Sequence, residues 1–99
     1  MEESEMEKLE KYLYNEVTKI VDILFQKLEE NNIDVELERN ELNEKELKAY
    51  INIYNEYEKA LVGLKEIAIS KFGYIEKFDF IYAVIIQEVV KKKGKEQSA

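Results

Sequence analysis

The sequence contains no cysteine, no histidine, no proline and no tryptophan, and only three of its 99 residues are glycine. Without cysteine the chain forms no disulfide and offers no thiolate for catalysis or for a metal. Without histidine it lacks the one side chain whose ordinary pKa lies between pH 5 and 8. Nucleophilic triads and histidine-based metal sites are therefore excluded. The scarcity of helix-breaking residues permits long helices.

The chain is 45% hydrophobic and 37% charged, with a formal net charge of −7. This length predicts one domain, residues 1–99. Excess negative charge makes general binding to a phosphate backbone unfavourable. Residues 1–11 are acidic, unlike a secretion signal, and the longest apolar run, Phe80–Ile86, is too short to span a membrane. We expect a soluble intracellular protein with no membrane association.

The pattern of the first thirty residues predicts a long amphipathic helix. Ser4 and Glu7 have the spacing of a capping box, and the two asparagines at 31 and 32 suit a helix end. Between them apolar residues recur every three or four positions, as one face of a helix requires. This stripe comprises Met6, Leu9, Leu13, Val17, Ile20, Leu24 and Leu28. The alternation in residues 33–38 then predicts either a short β-strand or an extended connector.

A second helix is predicted from about Asn43, with Glu46 three residues on, to about Phe72, with Gly73 as its stop. Its apolar residues follow a heptad seam: Leu47, Tyr50, Tyr54, Tyr57, Leu61, Leu64 and Ala68. We therefore interpret the tyrosines as packing residues whose hydroxyls reach water or a partner. Further apolar residues widen this face to about half the circumference, beyond the ~100° that a surface helix needs. Gly63 weakens this helix, and either a close backbone crossing or simple tolerance of a glycine explains it.

The third segment, residues 78–94, is the most ambiguous, because its phenylalanine, isoleucine and valine residues also favour strands. We predict a helix from Phe80 to Lys93, capped by Asp79 and stopped by Gly94. The fold class is thus mainly α: a bundle of two long helices and a shorter third. Three wide apolar faces exceed what a small monomer can bury, so we expect a homodimer. Its candidate interface is Tyr50, Tyr54, Tyr57, Leu61 and Leu64.

The candidates for chemistry are few. Paired glutamates such as Glu7 and Glu10 are typical of a solvated helix face, and no metal, cofactor or catalytic residue is predicted. Asp79, between two phenylalanines, is the best candidate for a perturbed carboxylate, although helix capping is the favoured explanation of this residue. A basic cluster, Lys91, Lys92, Lys93 and Lys95, is a weak candidate for nucleic-acid contact.

Three hypotheses of function follow. The first is a non-enzymatic, homo-oligomeric module that binds other proteins, viral or host. The second is a nucleic-acid-associated regulator that uses the lysine cluster and the tyrosine face, since tyrosine rows can stack bases. The third is an enzyme, which the missing residue types disfavour.

The segment "YINIYNEYEKALVGLKEIAISKFGYIEKF" is rich in tyrosine, isoleucine and lysine. In this segment, in the absent residue types and in its length, the chain resembles a family of small viral proteins. These proteins, of unknown function, are shared by lipothrixviruses and rudiviruses, the filamentous viruses of hyperthermophilic archaea. The resemblance covers the whole chain and implies a viral protein inside an archaeal host cell. It implies no catalytic or binding residue.

Overall fold

The computed structural model describes residues 4–33, 41–74 and 76–98. Within these ranges the chain forms three helices and no strand: α1 (Glu5–Glu30), α2 (Glu44–Phe72) and α3 (Phe78–Ser98). The predicted mainly α fold, with two long helices and a shorter third, is confirmed. The strand predicted at 33–38 falls almost wholly on residues outside those described. Ile33 itself is buried and lies outside any strand.

The ends of α1 and α2 follow from local capping chemistry. Ser4 Oγ accepts the backbone N–H of Glu7 at 3.1 Å, and α1 ends at the asparagine pair, where Asn32 is left-handed (φ 58°). Asn43 and Glu46 form a complete capping box, with bonds of 2.8 and 3.0 Å. These bonds occupy N–H groups that the first turn of a helix leaves free. α2 ends at Gly73, whose φ of 84° disfavours other residues.

Helix α1 is the central element and packs against both α2 and α3. It runs antiparallel to α2, since Tyr12 packs against Phe72 at one end and Lys27 pairs with Glu56 towards the other. Helix α3 runs in the same general direction as α1, and Lys93 pairs with Asp22 at 3.0 Å. The resulting body is elongated, measuring 51 × 28 × 19 Å.

The apolar stripe of α1 supplies most of the core. Its buried residues are Leu9, Leu13, Val17, Val21, Leu24, Phe25 and Leu28, against which pack Ile53, Leu64, Ala68, Phe78, Tyr82, Ile85 and Val89. The spacing of three and four residues places these side chains on one face, where removal from water stabilises the fold. Met6, which the pattern also placed in the stripe, is exposed at its N-terminal end.

Two polar contacts tie α2 to α3. The Tyr82 hydroxyl donates to the Leu61 carbonyl at 2.6 Å, and the Lys65 ammonium pairs with the Asp79 carboxylate at 2.5 Å. Tyr82 is only 7% exposed, so its hydrogen bond offsets the cost of burying a hydroxyl. These contacts position the start of α3 beside α2.

The structure corrects three details of the sequence prediction. Helix α3 begins at Phe78, two residues early, after a turn at Lys77 (φ 68°), so Asp79 lies in the first turn instead of capping it. The helix continues through Gly94 to Ser98, because this glycine keeps helical geometry. At Gly63 an added Cβ would meet nothing within 4 Å, so the predicted close backbone crossing does not occur within the described chain.

Candidate interaction surface

The tyrosine row lies half-buried along α2 and packs against the core of its own chain. The ring centroids of Tyr50 and Tyr54 are 4.4 Å apart, and those of Tyr54 and Tyr57 are 5.8 Å apart. Burial raises the pKa of Tyr57, with a smaller contribution from Glu58. The two seam leucines, Leu61 half-buried and Leu64 buried, continue the row. The seam is therefore used for packing within one chain, and its role between chains stays a prediction.

Large apolar side chains are exposed on all three helices. They are Met6, Ile23, Ile51, Val62, Ile67, Tyr74 and Phe80, and Phe80 is the most exposed at 69%. On α2 they occupy two sides, because Ile51 and Val62 are eleven residues apart, which is three turns. Ile67 lies on the opposite side of α2, the same side as the exposed Ala60, because these two residues are seven positions, or about two turns, apart. The apolar surplus that the sequence indicates is thus exposed in the single chain.

One side of α2 forms a groove with α1. This α1–α2 groove has a volume of about 200 Å³ and is mainly apolar. Its lining comprises Ile20, Ile23, Leu24, Lys27, Ile53, Glu56, Tyr57 and Ala60. The Lys27 ammonium and the Glu56 carboxylate bridge the two helices at 2.7 Å. The hydrogen bond from Lys27, aided by its charge, lowers the pKa of Glu56. The groove is thus apolar, with an ion pair among its lining residues.

A second groove lies between α1 and α3. This α1–α3 groove has a volume of about 270 Å³ and contains Glu10, Tyr14, Phe80, Ile81, Val84, Ile85 and Glu88. Its two charged lining residues are both acidic. A smaller groove of about 90 Å³, lined in part by Asp22, Lys92 and Lys93, lies further along the same pair of helices.

The lysine cluster lies in the last turns of α3. Lys91 and Lys92 are exposed, and the Lys92 ammonium lies 6.0 Å from the centre of the Tyr14 ring. Lys93 is half-buried, and its hydrogen bond to Asp22 raises its pKa. Lys95 is exposed. Lys93, one of the four lysines predicted to contact nucleic acid, thus forms an ion pair between α3 and α1.

Apart from Tyr82, none of the charged or polar side chains of the described residues is buried, and these residues contain no group of three acidic side chains that could hold a metal ion. Asp79, the predicted perturbed carboxylate, is exposed and paired with Lys65. That pair raises the pKa of Lys65. Across the described ranges, every helix is too short or too polar to cross a membrane.

No family model matches the sequence, and comparisons with curated proteins and with solved structures gave no match.

The α1–α2 groove is the feature that sequence reasoning missed. Ile23 lies outside the apolar stripe of α1, and its partners on α2 are set by how the two helices align. The sequence contains two hints of this groove: an isoleucine outside the stripe of α1, and the small residues Ala60 and Gly63 on α2. Neither hint indicates that α1 and α2 contribute these residues to one surface.

Proposed function

We propose that this protein is a non-enzymatic interaction module that acts as a homodimer. The observation that carries this proposal is the exposure of large apolar side chains on all three described helices, with Phe80 69% and Val62 58% accessible to water. Exposed apolar side chains that form a patch commonly mark a site of interaction with another protein.

The nature of the exposed residues supports the same proposal. Ile23, Val62 and Ile67 are each more than half exposed, and their side chains gain free energy when a partner removes them from water. Two copies of one chain satisfy this need with a closed two-fold arrangement, which is the commonest among oligomers.

The absence of buried carboxylate and ammonium groups among the described residues supports a function without catalysis. An active site commonly shifts the pKa of an acid or base by burial beside a partner charge. The carboxylates of the two larger grooves, Glu10, Glu56 and Glu88, are all exposed. We therefore propose binding, to a second copy and through it to viral or host proteins, as the function.

Sedimentation equilibrium across the micromolar range tests the homodimer. The expected result is a mass twice that of the 11.8 kDa chain, falling towards the chain mass on dilution. A single-chain mass at every concentration would contradict the proposal.

A second candidate function is contact with nucleic acid. It is favoured by the exposed Lys91 and Lys92, with the Tyr14 ring near the second of them. Because phosphate contacts release counterions, binding of this kind weakens steeply as salt rises. A gel shift of single- and double-stranded DNA at low salt, with wild type and a Lys91→Gln, Lys92→Gln variant, tests it. Retardation that the variant loses supports this candidate, and no retardation of either protein contradicts it.

We further propose, on the compositional resemblance, a viral protein acting in the cytoplasm of a hyperthermophilic archaeal host. The lysine- and glutamate-rich composition supports this proposal, since it is typical of heat-adapted proteins. Thermal unfolding of the purified protein checks it. A midpoint above about 90 °C is expected, and a midpoint of about 45–65 °C would contradict adaptation to such a host.

A further inference from the structure

We infer that the α1–α2 groove is the dimer surface, and that α1 of each copy lies against α2 of the other. The two-fold axis then runs parallel to the helices. This inference rests on the proposed homodimer and adds the face and the orientation of the two copies. Three features of the groove lead to it: the sizes of its side chains, its charges and its contrast with the other apolar surfaces.

The α2 wall contains large residues, Ile53 and Tyr57, but at the level of Ile23 the two walls differ in the size of their residues. The α1 wall presents Ile20 and Ile23, the latter 53% exposed. At this level the α2 wall presents Ala60, and an added Cβ at Gly63, three residues later, would meet nothing within 4 Å. Large side chains pack best against small ones, because facing surfaces then interdigitate without voids. Placing α1 on the partner's α2 makes this pairing twice.

The register of the helices inside one chain predicts the register between chains. Lys27 lies level with Glu56, and four residues before it, Ile23 lies level with Ala60 in the same groove. Rotation about an axis parallel to the helices keeps every residue at the same height along the helices in both copies. Ile23 then faces the partner's Ala60, and Lys27 lies level with the partner's Glu56. Lys27 and Glu56 of the two copies then alternate in one cluster of four charges. Each lysine lies beside a glutamate, so the charges across the interface are complementary.

The alternative two-fold axis, perpendicular to the helices, pairs α1 with α1 in antiparallel fashion. Centred on Ile23, that arrangement puts Lys19 opposite Lys27 and Glu16 opposite Glu30, because each pair is equally distant from the centre. Like charges that face each other across an interface are unfavourable. The charges of α1 therefore select the parallel axis.

The other apolar surfaces fit a second copy less well. In the α1–α3 groove the charged lining residues, Glu10 and Glu88, are both acidic, so two copies docked there bring like charges together. Ile51 and Val62 lie on the far side of α2 and line none of the described grooves. The α1–α2 groove combines exposed apolar area with charges of both signs.

Disulfide trapping tests the inference cleanly, because the natural chain has no cysteine. The variants Ile23→Cys and Ala60→Cys each carry one thiol at an exposed position. They are mixed in equal amounts in a glutathione redox buffer, where only thiols held close together cross-link appreciably. The matched control replaces Ala60→Cys by Val62→Cys, which is two residues away on the other side of α2. Circular dichroism checks that each variant is folded, and light scattering gives the mass of the wild type.

We expect at least about tenfold more cross-linked dimer from Ile23→Cys with Ala60→Cys than from the control mixture, because proximity raises the effective concentration of the thiols. Equal cross-linking in both mixtures, with a wild-type mass twice that of the chain, overturns the groove but leaves the homodimer. Strong cross-linking of Ile23→Cys alone overturns the parallel axis. A wild-type mass equal to one chain overturns both the inference and the proposed homodimer.

Discussion

The hydrogen bond from Tyr82 to the Leu61 carbonyl gives the sharpest prediction about what holds α3 in place. Tyr82→Phe removes one oxygen and keeps the ring, whose centroid lies 5.9 Å from that of Phe78. Leu61 lies inside α2, where its carbonyl also accepts the regular helical hydrogen bond. The variant therefore leaves no buried acceptor without a partner. The expected loss is the net value of one hydrogen bond, about 1 kcal/mol, or roughly 4–8 °C in the unfolding midpoint.

This difference should depend on pH. Burial raises the pKa of Tyr82, with a smaller contribution from Tyr57, whereas an unfolded tyrosine ionises at about 10. Above that pH the unfolded chain releases the proton first, so the contribution of Tyr82 to stability is complete below pH ~10 and falls as pH rises. At about pH 11 the wild type loses roughly 1.4 kcal/mol relative to Tyr82→Phe. The advantage of the wild type should therefore vanish or reverse.

Thermal unfolding by far-UV circular dichroism, at one fixed protein concentration, measures both effects. The control is Tyr74→Phe, since Tyr74 is exposed and its loss should leave the midpoint at neutral pH unchanged. If Tyr82→Phe unfolds at the wild-type temperature at neutral pH, the hydroxyl does not secure α3. A wild-type advantage that persists undiminished at alkaline pH would refute the argument from burial.

Three further predictions concern a cap, the core and the inter-helix ion pair. Asn43→Ala removes its side chain's bond to the Glu46 N–H from the capping box of α2 and should lower the free energy of unfolding by about 1 kcal/mol, measured by urea denaturation. Leu13→Ala empties a fully buried position of α1 and should cost about 2–5 kcal/mol in the same assay, with an unchanged denaturant slope. Lys27→Ala should return the pKa of Glu56 upwards to its ordinary range, measured by NMR titration of the carboxyl, because the hydrogen bond from Lys27 lowers it. The stability from this pair is present above the ordinary carboxyl pKa and is lost as pH falls through the lowered one, so the variant should also lose that acid sensitivity.

Each of these predictions has an outcome that contradicts it. An unchanged urea midpoint for Asn43→Ala means that the first turn of α2 is held by contacts other than the cap. A loss below about 1 kcal/mol for Leu13→Ala means that the core relaxes around the missing side chain. An unchanged Glu56 titration in Lys27→Ala means that the ion pair does not form in solution.

The three helices and four of their six ends, those of α1 and α2, could be predicted because they depend on local chemistry. The stripe of α1 and the seam of α2 recur at helical spacing, and Ser4, Asn43 and Gly73 act within a few residues of themselves. The ends of α3 lacked such signals. Gly94 is compatible with a helix as well as with a helix end. Asp79 pairs with Lys65, fourteen positions earlier in the chain, and no local rule identifies so distant a partner.

The candidate site could be predicted only in part. The surplus of apolar surface is a property of composition and spacing, so the sequence indicates it. Its position depends on how α1 and α2 align, which brings Ile23 next to Ala60. The tyrosine row shows the same limit, because its spacing predicts packing but does not say whether the partner is its own chain or another.

The accessibility of the Ile23 methyl groups, measured as a function of protein concentration, tests most directly whether a second copy covers the surplus surface. A soluble paramagnetic agent broadens the NMR signals of exposed methyl groups, and Val62 on the other side of α2 serves as the exposed reference. Covering by a second copy predicts that Ile23 is protected at high concentration and becomes as accessible as Val62 on dilution. An Ile23 signal that is equally broadened at every concentration would contradict it.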